Sequence, residues 1–304
     1  MEGMPNSWDY LIITASNNAQ ARAYESQVAL RRKIGMLSEA GTVKVVADPG
    51  GRRIGSGGST IECLLEVLNL EIPAECADPA DPSALEAILR RLRILIIHAG
   101  GDSRRLPAYG PCGKIFVPVP GESDGAFGMT LFESQLPTYL ALPPGREGSG
   151  QVVVASGEAA VRFDPSDVRL FEDGATVLGC HASPEAAARH GVLCTGRDDR
   201  VRLYLQKPEP AAQARVGAIN RYGQAILDTG ILSFDAPSAM VILRAFGIHP
   251  SPSGKLEWPP ALKNAVHERG IDLHREICCA MGSDATAAHH LANAHHGGSL
   301  WSEE

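Results

Sequence analysis

The stretch HAGGDSRRLPAYGPCGKIF, His98 to Phe116, sets two adjacent glycines, two arginines and a lysine directly after the apolar run Ile94 to Ile97. Gly100 and Gly101 let a backbone approach a ligand closely and turn its N–H groups inward, which makes a cradle for phosphate oxygens. Arg104, Arg105 and Lys114 add fixed positive charge, and the planar fork of arginine suits phosphate. The alternative for such a stretch is a glycine-rich surface turn with solvated cations. Spacing excludes two commoner phosphate loops. A Walker loop needs glycine where Ala108 stands and Ser or Thr where Ile115 follows the lysine. Gly55 to Thr60, GSGGST, nearly forms a dinucleotide fingerprint, but its last position is threonine.

These residues need a scaffold, and the rest of the chain describes one. Its 304 residues, 44% of them hydrophobic, suffice for one large α/β domain or two ordinary ones. A net charge of −7, from 28 basic and 35 acidic residues, excludes a general attraction to nucleic acid or anionic membrane. Any polyanion must be met by a local cluster such as 98–116. Seven cysteines without a C-x-x-C spacing read as free thiols of a reducing compartment. No run resembles a signal h-region or a membrane span, so the expectation is a soluble, cytoplasmic protein.

Apolar runs at 9–15, 42–48, 93–99, 151–157, 175–182, 200–207 and 224–235 read as strands. Helical spacing occupies about 20–34, opened by Asn17 and Asn18, then 61–70 and 83–92. From 236 onward the pattern is helical. Alternation of this kind predicts a mostly parallel, Rossmann-like sheet with helices on both faces and ligands at the carboxyl ends of its strands. The expected division is an α/β domain over 1–248 and a helical extension over 249–304, with about the last 15 residues disordered. The tail doublets His289-His290 and His295-His296 and the vicinal Cys278-Cys279 read as chance and core packing respectively.

The order G-G-x-x-x-R-L, proline, lysine is the signature loop of sugar nucleotidyltransferases, and it is met by Gly100 to Leu106, Pro111 and Lys114. Seven further segments accompany it in order: WDYLIITASN, DPGGRRIGSGGST, ASGE…RFDP, RHGV, LQKP, DTGI and IDLHREICCAMGSDAT. Together they closely resemble the pyrophosphorylase part of the fucose-1-phosphate guanylyltransferase family, including members fused to an L-fucose kinase. The resemblance runs from about residue 8 to about residue 286. It implies a nucleotidyltransferase fold and the reaction of GTP with L-fucose 1-phosphate to give GDP-L-fucose and pyrophosphate. Relatives continue into a β-helical region and often the kinase; no kinase pattern follows the GSGGST turn here.

That chemistry needs no strong base, because the attacking phosphate oxygen is already an anion. The site must join two anionic groups, align attack with the departing pyrophosphate and neutralise charge. The resemblance implies nucleotide contacts at Gly100, Gly101, Asp102 and Ser103, and catalytic roles for Arg105 and Lys114 on the leaving group with Arg104 assisting. Gly57, Gly58 and Ser59, opening a helix, are expected as a second nucleotide contact. His190 and Gly191 of RHGV and Gln206 or Lys207 of LQKP are expected beside the sugar phosphate. Mg²⁺ is the implied cofactor, with Glu158 of SGE and Asp228 of DTGI as its carboxylates.

Two positions depart from the family pattern. Glu158 stands where S-G-D is expected, and one extra methylene moves its oxygens by more than an ångström. Asp164 is an alternative carboxylate whose other role is to cap the following turn. Arg189 stands where asparagine is usual. An active guanylyltransferase and a binding module with weak turnover are therefore both consistent with the sequence. Small-molecule substrates are expected in either case, without nucleic acid or membrane; oligomeric state is left open.

Overall fold

The computed structural model describes residues 7–73, 81–101, 113–119, 129–288 and 290. They form a mixed α/β fold and divide into two compact units. The first takes residues 1–53, 59–176 and 232–262, and the second takes 54–58, 177–231 and 263–304. The chain thus leaves the first unit and returns to it.

Four parallel strands make the centre of the first unit: β1 (Trp8–Ala15), β2 (Ala40–Ala47), β3 (Arg93–His98) and β4 (Gln151–Ser156), in the order β2-β1-β3-β4. Ile94, Leu95, Ile96 and Ile97 of β3 are essentially unexposed. Four consecutive apolar residues leave no polar face, so such a strand is stable only when covered on both sides. Helices α1 (Asn18–Lys33), α2 (Gly55–Glu71), α3 (Pro82–Leu89) and α4 (Leu131–Leu140) connect and flank them. Asn17 caps α1 by accepting from the Gln20 amide at 2.9 Å, and Ala21, Tyr24 and Val28 form its buried stripe. The sequence expectation gives α4 no element, although Phe132, Leu136, Tyr139 and Leu140 form its buried stripe, and Pro137 lies inside it. Thr130 and Glu133 compensate with a capping box, in which the Thr130 amide donates to Glu133 Oε2 at 2.8 Å.

The second unit pairs its strands differently. β5 (Ala175–Ala182), β6 (Gly191–Thr195), β7 (Val201–Gln206) and β8 (Ala225–Phe234) enter it, with α5 (Pro184–Ala187) and α6 (Pro210–Arg215) as short connectors. β6 runs antiparallel to both β7 and β8, and β5 pairs with β8. Ala187, Val192, Cys194, Ala218 and Ala225 make a small core there. The last residues of β8, 232–234, belong to the first unit, as does α7 (Ala236–Ala245) and a two-stranded ribbon, β9 (His249–Pro250) with β10 (Leu256–Glu257). Helix α8 (Pro260–Arg269) leads into a π-helical turn at Leu273–Ile277. No helix among the described residues is long and apolar enough to cross a membrane.

Candidate functional site

In the first unit, the expected residues that the structure describes lie near the carboxyl ends of parallel strands, where backbone groups that no longer pair are available to a ligand. Beyond β3, Thr14 Oγ1 accepts from the amides of Ala99 at 3.1 Å and Gly100 at 3.3 Å. Gln20 Nε2 donates to Gly101 O at 3.4 Å, and Tyr24 donates to Ala99 O at 2.9 Å. His98 is held between two threonines, with Nδ1 3.5 Å from Thr14 Oγ1 and Nε2 2.9 Å from Thr60 Oγ1. The exit of the glycine loop is therefore fixed by hydrogen bonds from α1, β1 and α2. Ser59 donates to Asp48 Oδ1 at 2.7 Å beside the end of β2.

Gly101 has φ +129°, a backbone conformation that side chains rarely adopt. A Cβ there would lie 3.8 Å from an Arg53 guanidinium nitrogen and 3.9 Å from Lys114 Nζ. Two cations thus flank bare backbone, which is the chemistry a phosphate requires. Arg53 is absent from the sequence expectation, although it stands in the quoted DPGGRRIGSGGST. The rule that ligands meet strand ends, applied to the turn after β2, is the signal that finds it. Asp102, Ser103, Arg104 and Arg105 lie outside the described residues.

Lys114 opens a short 3₁₀ turn, Lys114–Phe116, whose next two residues are buried anchors. Phe116 packs edge-on against Tyr24 at 5.3 Å and tilted against Phe132 at 5.2 Å. Arg31 lies 4.6 Å over the Phe116 ring and pairs with Glu133. A Cβ at Gly113 would overlap the Tyr24 hydroxyl, so only glycine lets the chain reach Lys114 by this route. From that base Lys114 Nζ donates to Glu158 Oε2. The Gly157 amide before it donates to His98 O at 2.9 Å, so Glu158 follows directly on the β3–β4 pairing. Both ends of the ion pair face solvent, with the lysine side chain 32% and the glutamate 55% exposed. Asp164 accepts from the Ser166 amide at 2.9 Å, which gives it the capping role.

In the second unit, Asp228 of β8 is enclosed, its side chain 2% exposed. Oδ2 accepts from the Tyr204 hydroxyl at 2.6 Å, and Oδ1 accepts from the Gly230 amide at 2.7 Å. His274 Nδ1 approaches the same pair, 2.9 Å from the Tyr204 oxygen and 3.2 Å from Asp228 Oδ2. Burial pulls the imidazole pKa down, but the hydrogen bond and charge of Asp228 outweigh it, and the net shift is upward. Burial first, and then Asp228, push the Tyr204 phenol far above its ordinary range. A Cβ at Gly191 would overlap the Tyr204 hydroxyl, so this glycine clears space for the network. His190 is exposed, and its carbonyl accepts from the Lys207 amide at 3.0 Å. Lys207, also exposed, has φ +49°, a strained setting for a residue with a side chain.

The GSGGST turn has a packing reason for its glycines. Gly57 and Gly58 amides donate to Ile271 O at 2.7 and 3.3 Å, and a Cβ at Gly57 would stand 2.7 Å from Ile271 Cγ2. The expected anion site at these two amides is thus met by an acceptor from the chain itself. A groove of about 390 Å³ beside β2 is lined by Asn18, Arg22, Glu25, Glu62 and Glu66 among others. Three carboxylates against one guanidinium give it the wrong sign for phosphate.

Comparison with known proteins agrees with the geometry: the fucose pyrophosphorylase domain matches residues 86–301. The chain belongs to the fucose pyrophosphorylase family. The bifunctional fucokinase/GDP-fucose pyrophosphorylase of Arabidopsis thaliana is 28% identical over 246 residues, covering 75% of this chain and 23% of that protein. Fucose-1-phosphate guanylyltransferase of Mus musculus is 29% identical over 238 residues, covering 73% of this chain and 37% of that protein. The human protein of the same name is 29% identical over 227 residues, 71% of this chain and 35% of its own length. The chain thus spans between a fifth and two fifths of the length of these relatives.

Within the fucose pyrophosphorylase family frame, the Mg²⁺ expected at Glu158 and Asp228 can be tested on the donors. Mg²⁺ keeps several waters and takes one or two carboxylates plus substrate phosphate oxygens. Glu158 fits, being exposed and next to the cations. Asp228 does not fit as arranged, because each of its oxygens already accepts a protein hydrogen bond and almost no surface is left for metal-bound water. Among the described residues, no group of three or more His, Cys, Asp or Glu could hold a metal ion.

Proposed function

We propose that this chain carries the nucleotidyl-transfer site of a fucose-1-phosphate guanylyltransferase, joining GTP and L-fucose 1-phosphate to GDP-L-fucose and pyrophosphate. A phosphate oxygen of the sugar phosphate attacks the α-phosphorus of GTP. That P–O bond forms as the bond to the β-phosphate bridging oxygen breaks, and pyrophosphate leaves with the electron pair. The observation that carries the reading is the pair of cations, Arg53 and Lys114, flanking the bare backbone of Gly101 at the end of β3. Backbone at Gly100 and Gly101 receives nucleotide phosphate. Lys114 leaves Glu158 for the departing pyrophosphate, an exchange that an exposed ion pair permits at little cost. Arg105 and Arg104 add charge to the same group. Mg²⁺ at Glu158, when bound, would neutralise phosphate charge there. Lys207, His190 and Gly191, in the second unit, are the residues that the resemblance assigns to the sugar phosphate. A cytoplasmic setting belongs to the same proposal and agrees with the free thiols of Cys63, Cys180, Cys194, Cys278 and Cys279.

A second reading, a binding module with weak turnover, is favoured by one observation: Glu158 stands where an aspartate is expected and already engages Lys114. Pyrophosphate release from the purified chain with GTP, L-fucose 1-phosphate and Mg²⁺ separates the two. Release supports the transferase. Thermal stabilisation by GTP without release supports the binding module.

A further inference from the structure

The proposed reading leaves His274 without a task, although its backbone and ring are both held in the second unit. It sits on a π-helical turn, a form that often marks functional sites. Asp272 fixes that turn by accepting from the amides of His274 at 2.9 Å and Arg275 at 2.8 Å. The Leu273 N–H donates to Ser56 Oγ at 2.9 Å. The ring lies nearly parallel to Tyr204, with 18° between planes and 6.1 Å between centroids. Backbone and ring are both held.

The hydrogen bonds also decide which nitrogen is available. The Tyr204 proton goes to Asp228 Oδ2, so the two atoms facing His274 Nδ1 are oxygens with no further proton to give. Nδ1 therefore carries a proton, and Nε2 is the ring atom left for another molecule. Among the described residues Nε2 makes no hydrogen bond, and the side chain is 28% exposed. Lys207 follows directly on β7, whose Tyr204 touches His274. Beside it, Gln206 Oε1 is buried with no hydrogen-bond partner among the described residues. A buried acceptor without a partner is destabilising, so its retention points to a ligand group.

We infer that Asp228 is the anchor of His274 rather than a metal carboxylate, and that His274 Nε2 with Lys207 forms the sugar-phosphate subsite of the second unit. Lys207 takes the phosphate. Nε2 meets a sugar hydroxyl, which can either accept from or donate to that nitrogen. The inference rests on the transferase reading for the identity of the ligand. It departs from the expected role of Asp228, whose oxygens are committed to Tyr204, Gly230 and His274.

The test is equilibrium binding to the full chain, with L-fucose 1-phosphate, inorganic phosphate and Mn²⁺ as separate probes. His274→Ala is expected to weaken L-fucose 1-phosphate about tenfold, the effect of one lost hydrogen bond, and to leave inorganic phosphate within about twofold. Lys207→Ala weakens both anions. Asp228→Asn behaves as His274→Ala does toward the sugar phosphate and leaves Mn²⁺ affinity unchanged, whereas Glu158→Gln lowers it. His274→Gln, which keeps a hydrogen-bonding group near Nε2, recovers much of the loss; a merely structural histidine gives no such rescue. Thermal unfolding of each variant shows that it is folded. Loss of Mn²⁺ binding in folded Asp228→Asn, or unchanged sugar-phosphate binding in His274→Ala, overturns the inference while wild-type pyrophosphate release keeps the transferase reading. Wild-type protein that binds neither L-fucose 1-phosphate nor GTP overturns both.

Discussion

Two carboxylates of this chain, expected to serve one metal, live in opposite surroundings. Glu158 is 55% exposed and holds one partner, Lys114, which is itself partly in water. Asp228 is 2% exposed and holds three protein groups. An exposed ion pair contributes little to stability, so its members are available to a substrate at little cost. A buried carboxylate gives up its partners only by leaving donors unsatisfied in a medium of low dielectric. The first arrangement can take part in chemistry by exchange; the second can only orient what is already bonded to it.

Substitutions at the two regions should break or sharpen that contrast. The largest effect is expected on rate: Lys114→Ala lowers pyrophosphate release about 100-fold, the scale of one lost charge-stabilising donor, with the melting temperature hardly changed. Next is Tyr204→Phe, which removes a buried donor from Asp228 and lowers stability by about 1–3 kcal/mol in urea unfolding. An unchanged midpoint would show that the buried network is less committed than its geometry implies.

A smaller effect concerns Glu133, below the Lys114 turn. Burial alone would raise its pKa, but bonds from Arg31 and Thr130 outweigh this and hold it below the ordinary 4.5. A carboxyl with a depressed folded pKa adds stability above its unfolded value and loses it as pH falls through the folded one. Wild-type stability should therefore drop below about pH 4.5, and Glu133→Gln should flatten that limb while costing about 1 kcal/mol at neutral pH through the weakened cap. The smallest effect is Glu158→Gln on stability, within about 0.5 kcal/mol; a larger loss would mean that the exposed pair is structural.

The parallel strands were legible because a strand buried on both faces must be apolar throughout, as Ile94 to Ile97 are. The caps at Asn17 and Asp164 were legible because their side chains act within three residues of their own position. Helix α4 was not, since Pro137 within it reads as a helix breaker, although the spacing of Phe132, Leu136, Tyr139 and Leu140 is helical and the box of Thr130 and Glu133 secures its start. β6 was hidden by its shortness, and the antiparallel pairing it makes is a long-range choice.

For the site, residue types predicted a phosphate loop with Lys114 among its cations, and the ordered motifs pointed to the family to which the chain belongs. These follow from local requirements: glycine where backbone must come close, fixed charge where phosphate must bind. Only the tertiary structure brought Arg53 to Gly101, turned the amides of Gly57 and Gly58 to Ile271, and closed Tyr204 and His274 around Asp228. Those outcomes join positions up to about two hundred residues apart, and no local pattern encodes which distant partner satisfies a given donor. A carboxylate announces its chemistry in the sequence, but its surroundings decide whether that chemistry is available.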